Sequence, residues 1–134
     1  ERSLQYYDMY PGDVPLVKRI VQALLQQPAL LPSGGKLTAR RFLNLGLSLG
    51  GSPSSFASMH ALLTSAFLGD EDSTEFSRAF LKHMDSAQSF DDHPIYFLLH
   101  ESIYADGPET SSTTWAAHRA YEDLIKTSPE FDYK

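Results

Sequence analysis

Apolar residues in this chain return every three or four positions, and nowhere do four or more clean apolar/polar alternations run between turn signals. The first pattern lays an apolar stripe along a helix, whereas the second is what a half-buried strand requires. The chain therefore reads as all-α, with six to seven helices, short connections and no internal repeat. Residues 4–10 form a short aromatic-rich helix that Pro11-Gly12 breaks, since proline cannot continue a helix and glycine loosens the backbone. Asp13 caps the next helix, with Pro15 in its first turn and Val14, Val17, Ile20, Val21, Leu24 and Leu25 as its stripe to about Gln27. The stretch 28–35 holds two prolines and two glycines and reads as a loop. Thr38 caps a helix carrying Phe42, Leu43, Leu45, Leu47 and Leu49, which Gly50-Gly51 stops. Ser52-Pro53-Ser54 opens another, containing Phe56, Met59, Leu62, Leu63, Phe67 and Leu68, and residues 69–72 turn the chain. Ser73 or Thr74 caps a fourth long helix with Phe76, Ala79, Phe80, Met84 and Ala87 on one side. Asp91-Asp92 with Pro94 starts a fifth that reaches about Ala105, and a last helix runs from about Thr114 to Lys126.

A chain of 134 residues and 15.0 kDa suits one hydrophobic core, so residues 1–134 are expected to form a single helical domain. The absence of cysteine removes disulfides, thiolate nucleophiles and Cys-based zinc sites, and points to a cytoplasmic setting. A net charge of −6 argues against nucleic acid as a partner, because backbone binding needs clustered Lys and Arg. The acidity belongs to the second half: residues 1–50 carry six basic and three acidic side chains, and residues 51–134 carry five and fourteen. Solvated helix faces account for that balance. No apolar run approaches the roughly 20 residues a membrane span needs, and no basic-then-apolar leader opens the chain. Starting at Glu1 without an initiator Met, the sequence reads as a piece of something longer.

Two motifs suggest chemistry and then lose it on context. Gly46-Leu47-Ser48-Leu49-Gly50 matches G-x-S-x-G, but a nucleophile elbow needs a strand feeding a sharp turn, and Ser48 sits near the tail of a helix. His100-Glu101 begins like H-E-x-x-H, yet position 104 is Tyr, so the second imidazole is missing. His93 and His100 stand two helical turns apart, about 10 Å, too far to share a metal. His60, His83 and His118 are isolated, and neither a metal nor a cofactor is expected.

The fifth helix carries the most information. Ile95, Leu98, Leu99, Ser102 and Ile103 share one side and are expected to pack inward. Phe97, Glu101 and Tyr104 cluster on another side, so a single carboxylate is flanked by aromatic rings where an ordinary solvent face would carry Lys, Arg or Gln. Such a grouping suits a small cation with an apolar body, the charge pairing with Glu101 and the rings adding a cation–π contribution. The same spacing also suits rings packed on a neighbouring helix, with Glu101 bridged to an arginine. Trp115, with Arg119 and Glu122 beyond it, offers a second aromatic with the same two readings.

Four runs in order, Tyr6-Tyr7-Asp8-Met9-Tyr10-Pro11-Gly12-Asp13-Val14, Leu37-Thr38-Ala39-Arg40-Arg41 through Gly50-Gly51, Leu98-Leu99-His100-Glu101-Ser102-Ile103-Tyr104, and Thr114-Trp115-Ala116-Ala117-His118-Arg119, are spread along essentially the whole chain. Together they resemble the helical cap of proline iminopeptidases, α/β-hydrolase serine aminopeptidases that remove N-terminal proline from peptides. The resemblance implies an irregular helical cap inserted into a catalytic α/β domain whose triad is absent here, so that this chain alone is inactive. It implies that a cap carboxylate, matched by Glu101, holds the substrate's amino terminus; Phe97 and Tyr104, which flank Glu101 by helical spacing, and Trp115 are the candidate substrate-binding rings. It implies as partners the catalytic domain of the parent chain and a peptide beginning with proline, and self-association of the isolated cap through its uncovered face. Glu122 and Asp106 are further acids without an assigned role, and His118 departs from the acidic or polar residue expected in the Trp-Ala-Ala-x-Arg stretch. The rival readings are a cap from another α/β-hydrolase, such as an esterase or epoxide hydrolase, and a stand-alone all-α interaction module.

Overall fold

The computed structural model describes residues 2–52, 54–69, 73–100, 115–129 and 132, with backbone only at Ser89, Phe90, Phe97, Ala116 and Ala117. Helix dominates these residues, as the periodicity predicts. The elements are α1 (Arg2–Met9), α2 (Asp13–Gln26), a two-stranded hairpin of β1 (Ala29–Leu30) and β2 (Lys36–Leu37), α3 (Ala39–Leu43), a 3₁₀ helix (Asn44–Gly50), α4 (Ser55–Thr64), α5 (Arg78–Ser86), α6 (Ser89–Asp92), α7 (Pro94–Leu99) and α8 (Ala116–Thr127). Within the span expected to be one domain, the chain gathers into two compact units, residues 1–88 and 89–134. No helix among the described residues is long and apolar enough to cross a membrane.

In the first unit α2 is the central element, packing against α3 and α4, while α1 and α4 rest on the 3₁₀ helix. Its stripe contributes Ile20, Val21 and Leu24, all buried, and Phe42, Leu49, Phe56, Met59, Leu63, Phe80 and Met84 are buried in the same unit. Burying one such side chain stabilises by about 1.5–3 kcal/mol. Phe80 is wholly enclosed, with its ring 5.4 Å from Phe76 and 6.2 Å from Phe42. Thr38 caps α3 as expected, its side chain accepting from the Arg41 amide at 3.3 Å.

Five local expectations need correction. Asp13 is not a cap: Gly12 stands at that position, and the Asp13 carboxylate turns into the interior. The loop at 28–35 contains strand β1, with Ala29 opposite Leu37 and Leu30 opposite Lys36, closed by a turn in which Gly34 takes φ +93°. That dihedral costs any residue with a Cβ about 1–2 kcal/mol, which is why glycine stands there. The fourth long helix starts late, at Arg78, because Ser77 supplies the cap by accepting from the Phe80 amide at 3.1 Å. Phe76 is instead drawn into a bridge with Phe67, the two rings stacked at 4.9 Å, which ends α4 at Thr64 and leaves Phe67 outside it. Residues 44–50 wind as 3₁₀ rather than α, and Ser48 spends its hydroxyl on the Leu45 carbonyl at 2.7 Å.

In the second unit the expected fifth helix is divided at His93 into α6 and α7. Of the stripe expected to face inward, the described members are open: Ile95 is 71% and Leu98 66% exposed, and Leu99 is exposed too, while Ser102 and Ile103 lie outside the described residues. Every buried apolar residue among those described lies between Tyr6 and Met84, in the first unit. Tyr96 and His100 pack edge to face at 5.1 Å.

Candidate functional site

Glu101, Tyr104 and Asp106 lie outside the described residues, and Phe97 is described only as a backbone position in α7. Trp115 stands at the N-cap of α8, 47% exposed, in the left-handed region at φ 54°, ψ 70°. Its carbonyl accepts from the amides of His118 (2.9 Å) and Arg119 (3.2 Å), which starts the helix. Glu122 pairs with His118 one turn earlier at 3.2 Å, an exposed i,i+4 contact. The described residues therefore place one member of the expected group, Trp115, and leave its relation to Glu101 outside them.

The polar cluster that the described residues do assemble lies in the first unit, and its members come from three places in the chain. Tyr6 is the buried residue of α1, held edge-on against Phe56 at 5.5 Å. Its hydroxyl donates to Oδ2 of Asp13, the first residue of α2. His60, on α4, brings Nδ1 to 3.0 Å from both carboxylate oxygens. The Tyr10 ring lies flat on the imidazole at 4.3 Å, tilted 10°. Asp13 itself is only 1% exposed.

A buried carboxylate is stable only when its oxygens are satisfied, and two donors from two other helices do that here. An ionised carboxylate only accepts, so Nδ1 of His60 carries the proton and Nε2 is turned away from Asp13, on a side chain that is 40% exposed. The same carboxylate acts on the phenols. Burial first, then the hydrogen bond to Asp13, pushes the Tyr6 hydroxyl far above the ordinary tyrosine range, and burial with the nearby Asp13 charge raises Tyr7.

A carboxylate behind an imidazole supplies two members of a catalytic triad, and the third is a nucleophile at the outer nitrogen. Among the described residues no serine or threonine hydroxyl bonds the His60 ring, and no three His, Asp or Glu side chains are placed to hold a metal. The cluster ties α1, α2 and α4 together. Sequence reasoning missed it because Asp13 offers a complete local explanation as a cap, and His60 stands 47 residues away with no local signal linking the two.

Beside this cluster, α1 and the 3₁₀ helix border a cleft of about 180 Å³ whose floor is Phe42, Met59 and Leu63.

Over 119 residues, 89% of its length, the chain is 29% identical to the proline iminopeptidase of Aeromonas sobria. It spans about a quarter of that relative, the aligned part being 26% of the longer protein. No family profile matches the chain. The similarity links this mostly helical chain to part of a hydrolase.

Proposed function

We propose that the chain is the substrate-selecting helical lid of a serine aminopeptidase that releases N-terminal proline from peptides. The similarity to the Aeromonas sobria enzyme across 89% of the chain is the observation that carries this reading. The helical architecture supports it, since a lid needs helices and no triad of its own. In this reading Glu101 pairs with the substrate ammonium, and Phe97, Tyr104 and Trp115 enclose the apolar body around it. The catalytic domain is supplied by the rest of the parent protein. Closing the lid excludes water and sets the first peptide bond against the nucleophile.

Selectivity for chain ends comes from electrostatics. An internal peptide bond brings no ammonium, leaving the Glu101 carboxylate desolvated and unpaired, and such a loss costs about 3–5 kcal/mol. In the complete protein carrying this chain, Glu101→Gln is expected to lose on the order of 10²–10³ in kcat/KM on a prolyl substrate while a neutral ester without an amine is nearly unaffected. Equal losses on the two substrates overturn the amine-binding role. The 134-residue chain by itself is expected to hydrolyse neither substrate.

A further inference from the structure

The cleft between α1 and the 3₁₀ helix plays no part in the proposed lid function, and it is built by the first unit alone. None of the residues that line it carries a charge, and the floor of Phe42, Met59 and Leu63 is apolar. One wall includes Tyr6 and Tyr7. Tyr6 has spent its hydroxyl on Asp13, whereas the half-buried Tyr7 hydroxyl bonds no described residue. Gly46 also lines it, and a Cβ built there meets nothing within 4 Å.

We propose that this cleft binds a small neutral ring compound bearing a single hydrogen-bond acceptor, with the Tyr7 hydroxyl as donor. Size sets the first limit. An apolar cavity of about 150 Å³ accommodates benzene, and about 180 Å³ adds room for a substituent of a few atoms. Charge sets the second: the uncharged walls offer nothing to offset desolvation of an ion, so a neutral ligand is selected over an ionised isostere. The direction of the hydrogen bond is the third. Near neutral pH a phenol keeps its proton, so Tyr7, which lines the cleft, has one O–H to donate, and an acceptor on the ligand uses it.

Acetophenone is the probe, with benzoate as the charged isostere and ethylbenzene as the analogue without an acceptor. Titrated into the ¹⁵N-labelled chain, acetophenone is expected to give saturable amide shifts at Val17, Gly46 and Met59 with a Kd on the order of 1 mM, a reasonable value for a ligand of this size. Benzoate is expected to give none, and ethylbenzene to bind several-fold more weakly. Tyr7→Phe, which keeps the ring and so the packing, is expected to weaken acetophenone by roughly three- to tenfold. Gly46→Leu, which adds a side chain to a lining position that has none, is expected to weaken binding; if that variant does not give a folded amide spectrum, Tyr7→Phe decides alone. No saturable shifts with acetophenone, or equal affinity for ethylbenzene, or no effect of Tyr7→Phe, overturns the proposal. Should benzoate bind as tightly as acetophenone, the claim of neutrality is overturned with it.

Discussion

Tyr6 holds its hydroxyl proton far more tightly than an exposed tyrosine, because ionising it would place a phenolate in the interior beside the Asp13 carboxylate. Stability depends on pH accordingly. Below the ordinary tyrosine value of 10 the folded and unfolded chains both keep the proton, and the contribution is fully present. Above it the unfolded chain releases the proton while the folded one retains it, so stability falls as pH rises from about 10. Tyr7 adds to the same slope. Urea midpoints measured on either side of pH 10 should therefore drop for the natural chain and drop less for Tyr6→Phe; identical slopes contradict the assignment. Trp115 offers a second test at this scale. Its left-handed backbone penalises any residue with a Cβ, so Trp115→Gly should exceed Trp115→Ala in stability by about 1 kcal/mol, as both lose the ring and only glycine escapes the penalty.

At the scale of elements, three helices meet on one carboxylate. Asp13→Ala strips the partner from the Tyr6 hydroxyl and from His60 Nδ1 at once, and is expected to destabilise by roughly 1–3 kcal/mol. Combined with His60→Ala in a double-mutant cycle it should be non-additive by at least about 0.5 kcal/mol. Additive losses in chemical denaturation would mean that α4 is held by its apolar contacts alone. The helices themselves are largely legible in the sequence: the α2 stripe, the break at Pro11-Gly12 and the Thr38 cap arise from spacing and side-chain chemistry that act within a turn or two. What is not legible acts across the chain. Asp13 satisfies a local rule for capping and is claimed instead by groups 7 and 47 residues away. Ser73, Thr74 and Ser77 are each competent caps, and the choice of Ser77 depends on Phe76 finding Phe67. The alternation test for strands also fails on a hairpin whose strands are two residues long, too short to alternate. Glu101 stands out by its neighbours on a helical wheel, and its surroundings lie outside the described residues.

For the whole molecule, the distribution of buried side chains matters more than the number of helices. The described core runs from Tyr6 to Met84, inside the unit formed by residues 1–88. A fragment of residues 1–88 is therefore expected to unfold cooperatively, with a Tm within a few degrees of the full chain. A fragment that is molten by near-ultraviolet circular dichroism would show that residues 89–134 supply essential packing. Phe80→Ala, in either length of chain, should cost about 3–5 kcal/mol, since it empties a site with no exposure. The buried phenol at the junction of α1, α2 and α4 has a practical use besides. Tyrosinate absorbs at longer ultraviolet wavelengths than tyrosine, so in a spectrophotometric titration the exposed phenols colour first and Tyr6 only when that junction parts. The late step becomes an optical clock for opening of the first unit, requiring neither dye nor label.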